Sequence, residues 1–270
     1  MKATFSMHHN ERSLELELIL AVCFLALVAL IFLVLTFYKR SKKLAKVKRA
    51  THYQNIVDDL VFKILFGEQD LAECLTIYTT YENKKLFNKT LIKSLVSLHK
   101  SYVGEPKNRI EKFYEVSGLY QFSLKKLKSK SWVNQVEAIR DLSKLNYTKA
   151  FAEISALTIS KREEIKKEAI IGSVLLNGIS ELEKFKNEEL YFDDWMQSNF
   201  LYSLKIKQWE IFELKETLFQ SKNESFLVLV ARIIELYQLH IYYDVLVQMM
   251  QNCQKTKTKN DLKNIISRLK

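Results

Sequence analysis

The sequence predicts an all-α protein with one membrane-spanning helix near its N-terminus, and three observations carry that prediction. Gly 5 and Pro 1 leave six turn-forming residues in 270, far below the roughly 12% of average usage, so sandwiches, barrels and Gly-rich nucleotide-binding α/β folds lack the material for their turns. Apolar residues recur at spacings of three and four through most of the chain, as in Leu60, Val61, Ile64 and Leu65, which is the period of a helix face. Leu18 to Phe37 reads LILAVCFLALVALIFLVLTF, with no charge and one hydroxyl, Thr36. At 48% hydrophobic and 27% charged residues, the chain has enough apolar material to fold, which excludes disorder as its main state.

The apolar run matches the ~20 residues that cross a ~30 Å hydrocarbon core. It is longer than the apolar part of a cleavable signal and is preceded by acids, so it is expected to remain as an anchor. Lys39, Arg40, Lys42 and Lys43 follow at once, with Lys46, Lys48 and Arg49 one turn on, and no acid lies among them. By the positive-inside bias these seven place the N-terminus outside and the C-terminal bulk in the cytoplasm, at the inner (plasma) membrane. The same residues can rest on anionic headgroups, at about 1 kcal/mol each, although topology alone accounts for them.

The net charge of +11 divides unevenly: residues 1–17 carry −1, residues 39–49 carry +7 and residues 255–270 carry +5, leaving 50–254 neutral. A neutral body argues against a nucleic-acid partner. Cys23, Cys74 and Cys253 form no CxxC or Cys/His pattern and are expected as free thiols.

The spacing predicts a short extracytoplasmic tail over 1–17, the membrane helix over 18–38, a basic stalk helix over 39–66, a helical body over 67–254 and a basic C-terminal helix over 255–270. Within the body, Asp70 and Asn83 precede helical stretches and Gly104-Glu105-Pro106 is the clearest break, Pro suiting a first turn. Helices are expected at about 107–128, 131–145, 148–158, 161–176, 178–187, 193–206, 209–220, 223–238 and 240–252, then 258–268.

An internal repeat stands out. Glu137-Ala138-Ile139, five residues and Leu145-Asn146 recur 31 residues later as Glu168-Ala169-Ile170, five residues and Leu176-Asn177. Ala138 and Ala169 leave room for a neighbouring helix, while Ile139, Leu145, Ile170 and Leu176 fill the space between pairs. Each copy is a helix followed by a second, and such pairs must stack to bury both faces.

Over WVNQVEAIRDLSKLNYTKAFAEISALTISKREEIKKEAIIGSVLLN the chain resembles HEAT-like repeats, clearest across 131–187. It is also similar to bacterial single-pass membrane proteins that carry a cytoplasmic HEAT-like solenoid. That resemblance implies an α-solenoid after the anchor and scaffold or adaptor work. A neutral body beside a membrane, with basic charge confined to stalk and tail, suits the cytoplasmic domain of another membrane protein as partner, and an envelope-polymer assembly is the setting expected by analogy of location. HEAT-like folds also occur among DNA glycosylases and bilin lyases, which keeps an enzyme acting on a nucleic acid or pigment as the alternative.

For chemistry, His8, His9, His52, His99 and His240 show no metal-ligand spacing, and there is no GxGxxG, P-loop or GxSxG; no catalytic residue, metal or cofactor is expected. Adjacent acids such as Asp58-Asp59 diverge by about 100° on a helix, and Asp193-Asp194 reads as an N-cap with a partner for the helix dipole. Trp132, Trp195 and Trp209 are expected in the core rather than as stacking platforms. Lys125, Lys126, Lys128 and Lys130 read as a solvated helix end.

Overall fold

A computed structural model describes residues 2–67, 71–207 and 214–269, with the backbone alone for 2–19 and 46. Among the described residues there is no strand, and the chain divides into two units, Met1–Ile56 and Val57–Lys270.

The first unit belongs to one helix, α1 (Lys2–Phe66). From Leu20 to Phe37 its large aliphatic and aromatic side chains other than Val28 stand exposed, and this stretch belongs to a helix long and apolar enough to cross a membrane. Its hydroxyl is already satisfied, because Thr36 Oγ1 donates to the Phe32 carbonyl at 2.8 Å, leaving no polar group of the stretch in need of water.

The second unit opens with the last turns of α1, where Val57, Leu60, Val61, Ile64 and Leu65 are buried. The predicted stalk over 39–66 therefore ends earlier than its periodicity suggested: ten of its residues belong to the body, because their apolar face is covered. The buried Arg109 donates through Nε to the Ile64 carbonyl at 2.6 Å, supplying a partner for a helix-end acceptor. Next come α2 (Ala72–Tyr81), α3 (Lys85–His99) and α4 (Glu105–Val116); Tyr78 on α2 meets Phe87 of α3 at 6.5 Å and Phe113 of α4, edge-on, at 6.0 Å. Pro106 sits in the first turn of α4. The single helix expected over 107–128 is instead α4 and α5 (Tyr120–Leu127), parted at Gly118, whose φ of 73° is a conformation other residues avoid.

The remaining long helices are α6 (Trp132–Lys144), α8 (Glu163–Asn177), α9 (Asp194–Lys207), α10 (Glu224–Leu236) and α12 (Thr256–Arg268), and each starts 30 to 32 residues after the one before. Between them lie shorter pieces: 3₁₀ turns flanking α7 (Phe151–Ser155), a 3₁₀ stretch at Ile179–Phe185, another at Glu216–Gln220, and α11 (Tyr243–Asn252). The full helices expected over 148–158, 178–187 and 209–220 are thus replaced by largely 3₁₀ structure where described.

Both sequence copies meet in one contact. Ala138, Ile139, Ala169 and Ile170 have no exposed surface, and Leu145 and Leu176 are buried. Gly172 on α8 sets the approach to α6: a Cβ there would lie 2.8 Å from Ile139 Cγ2 and 3.2 Å from Ile154 Cγ2. Gly172→Ala should therefore lower stability by about 1 kcal/mol net, the overpacking of ~1–3 kcal/mol exceeding the ~1 kcal/mol helix-propensity gain. Thermal melts should show Ile139→Ala costing less in the alanine background than alone.

The copies end differently. After α6 the chain turns at Asn146 (φ 56°), with Tyr147 N–H donating to Leu142 O and Asn146 N–H to Ser143 O, a Schellman closure. After α10 the same pattern recurs at Gln238 (φ 50°), with Leu239 N–H on Ile234 O. In contrast, α8 runs to Asn177 and the chain departs at Gly178.

One continuous core links Ile170 on α8 to Leu269 beyond α12. The basic C-terminal helix belongs to it: Leu262, Ile265 and Ile266 are buried while its lysines face outward. Glu224 anchors its start, accepting from the Gln254 N–H at 2.7 Å and the Lys255 N–H at 3.2 Å. Burial pushes the Glu224 carboxyl up, but these donors and the Thr258 hydroxyl outweigh it and hold it below the usual range.

Candidate functional site

In α1, Lys39, Arg40, Lys42, Lys43, Lys48 and Arg49 are exposed and Lys42 Nζ stands 4.4 Å over the Tyr38 ring. The Lys46 side chain lies outside the described residues, as do Trp209, Asp70 and the side chains of His8 and His9. The basic cluster is thus a run of solvent-facing cations on the helix that carries the apolar stretch.

The second unit contains an open groove of about 930 Å³. One wall is the α3 face Lys89, Ile92, Lys93 and Val96 with the C-cap residue Lys100, and the other is the α6 face Val133, Val136, Glu137, Arg140 and Lys144. Steps of three and four put each set on one side of its helix, and α6 presents its opposite side, with Ile139 and Leu142, to the core.

Trp132 and Trp195 line this groove with 37% and 53% of their surfaces exposed. Their expected place in the core is therefore wrong. Each stands at the start of its helix, where the first turn projects past the packed layer, and each lies beneath a guanidinium: Arg162 is 4.4 Å from the Trp132 ring and Arg140 is 5.7 Å from Trp195. Lys126 also departs from the solvated helix end that the sequence suggested. Its side chain is only 14% exposed and turns inward to Asp141 at 2.9 Å and Glu137 at 3.2 Å, because two carboxylates on α6 offer it partners that solvent-facing Lys125 lacks.

The groove holds seven cations against three carboxylates, unlike the neutral body as a whole. Most of the cations are engaged: Lys89 and Lys126 on Glu137, Arg140 on Glu168 at 2.6 Å, and Lys167 on Glu163 and Asp193. Asp193 also accepts the Met196 N–H at 2.7 Å through Oδ1, capping α9 as the sequence suggested. Among the described residues no carboxylate pairs with Lys93, Lys100 or Lys144.

Burial pushes the Asp141 carboxyl up to about 6 against the pull of the Lys126 ammonium. Because this lies above the unfolded value of ~3.9, ionised Asp141 costs stability fully above pH ~6, and the cost is relieved as pH falls towards 4. Lowering pH from 7 to 5 should therefore add a little over ~1 kcal/mol that Asp141→Asn does not gain. Glu111 and Glu137, held low by His99 and by Lys126 despite burial, oppose this trend only below their unfolded range near ~4.3. Parallel melting profiles of the parent and Asp141→Asn across pH 5 to 7 would contradict this account.

Among the described residues no group of three His, Cys, Asp or Glu side chains is placed to hold a metal. Cys74 and Cys253 are buried and free, and burial pushes both thiols up, away from the reactive thiolate.

The groove was legible only in part. Its α6 wall fell within the repeat, but the lysines of α3 carried no motif; their signal was the alternation of Lys89, Lys93 and Lys100 with Ile92 and Val96 on one helical face. No family model, no curated protein and no solved structure matches this chain.

Proposed function

We propose that the protein is a membrane-anchored scaffold whose helical body, a HEAT-like solenoid, binds a partner protein at the cytoplasmic face. The observation that carries this reading is the joining of a charge-free apolar stretch of α1, none of it buried, to a separately packed helical unit with a broad open groove. Exposed aliphatic side chains over some 20 residues cost heavily in water and favour a hydrocarbon surround. The basic residues that follow favour the cytoplasm for the body. Helix starts every 30 to 32 residues support stacked repeats, and a repeat array offers a preformed surface that the anchor confines to two dimensions. The setting of an envelope-polymer assembly rests on analogy of location alone.

The groove also brings an acid near two tryptophans, which favours a second reading, an enzyme acting on a nucleic acid or pigment. That reading needs Asp141 available to a substrate, whereas its carboxylate is held by Lys126 at 2.9 Å. The scaffold reading takes precedence on that contact.

In-cell crosslinking through lysines of 107–254 tests the proposal. The expected product joins this chain to the cytoplasmic domain of a membrane protein, and deleting 131–187 removes it while α1 still inserts. Recovery of nucleic acid instead, with a steep salt dependence, would promote the enzyme.

A further inference from the structure

We infer that the groove between α3 and α6 receives an acidic, partly apolar segment of a partner protein, with Lys93, Lys100 and Lys144 as its charge-reading residues. This deepens the scaffold reading and rests on it.

The inference comes from what remains after internal pairing is subtracted. Of the groove's cations, four are neutralised within the protein, and three are left without a carboxylate. Lys93 on α3 and Lys100 at its C-cap stand two turns apart, about 10 Å along the axis, and Lys144 borders the groove from α6. Lys100 and Lys144 also border a smaller cavity beside it, which takes in Lys107 and Lys207. Lys207 donates to Asn146 Oδ1 at 2.5 Å, so it is anchored to the protein. Two half-buried ammonium groups, Lys100 and Lys144, thus lie in one recess. Burial pushes Lys144 below the usual ammonium range and the charge of Lys100 pushes it further, against the weaker pull of Glu168 and Asp141, neither of which pairs with it directly; an incoming anion would relieve this arrangement.

The rest of the groove decides what kind of anion. Glu137, Asp141 and Glu164 also border it, and a nucleic-acid strand with its regular phosphates would meet these carboxylates along the way. An acidic peptide needs only two or three carboxylates placed opposite Lys93, Lys144 and Lys100, the last of which rests 5.7 Å over the Tyr202 ring with no carboxylate paired to it. Exposed Val133 and Trp132 on the opposite wall supply an apolar anchor that a phosphate chain would not use and a leucine would. Charge complementarity together with this anchor commits the site to a peptide of mixed glutamate and apolar residues.

The test uses the full chain in detergent micelles and a fluorescent synthetic peptide mixing glutamate with leucine, read by anisotropy. Saturable binding is expected, weakening with added salt. It should fall at least roughly tenfold in Lys100→Glu and in Lys93→Glu. Lys93 is exposed, so its replacement leaves the fold intact and keeps the test valid should Lys100→Glu disturb it. Lys263→Glu, an exposed position on α12, should bind like the parent. Absence of binding, equal binding by the groove variants, or tighter binding of single-stranded oligothymidylate would each overturn the inference. If the cellular crosslink to a membrane protein persists in Lys93→Glu/Lys100→Glu, the groove assignment falls while the scaffold reading stands. Loss of that crosslink in parallel with peptide binding supports both.

Discussion

Ile139→Asp and Ile170→Asp each abolish the cooperative melt of the helical body, measured by circular dichroism on the full chain in detergent. Both side chains are completely buried at the contact of α6 with α8, where a carboxylate would be cut off from water. Each change removes a buried isoleucine and places a charge in its stead, together more than ~4 kcal/mol, which is much of the ~5–15 kcal/mol that holds a domain. The loss should spread beyond the mutated pair, because Ile170 belongs to the core that continues through α9 and α10 to Leu269. Ile139→Val removes only one methylene and should cost roughly 1 kcal/mol. A melt of Ile139→Asp indistinguishable from the parent would mean that the two helices do not meet as described.

The residues most readily read from sequence were those governed by local periodicity. The repeat copies around Ala138 and Ala169, the Pro106 helix start and the amphipathic helix near the C-terminus all depend on residues within one or two turns of each other. What sequence could not supply depends on neighbours distant along the chain. Trp132 resembles a core residue because it opens an apolar helix, yet it lies beyond the layer that α8 covers, under Arg162. Lys126 belongs to a run of lysines that looks solvated, and only the position of α6 turns it inward. Gly172 carried no turn signal; its role is the 2.8 Å clearance to Ile139, which appears only when two helices are brought together. The division at Val57 was hidden for a similar reason, since α1 continues unbroken through it.

Those long-range effects concern the body; the anchor depends on the apolar stretch and its flanking charge. We propose that α1 crosses the membrane with the body inside, and protease added to right-side-out vesicles tests this most directly. With seven Lys and Arg after the apolar stretch and two before it, the charge bias strongly favours that orientation. Full-length body should therefore survive until the vesicles are opened with detergent and then be degraded. Replacing Lys39, Arg40, Lys42 and Lys43 with glutamate removes the nearest positive charges and should render part of the population cleavable from outside. Cleavage of the parent body in sealed vesicles, or its recovery in the soluble fraction with α1 intact, would contradict the account.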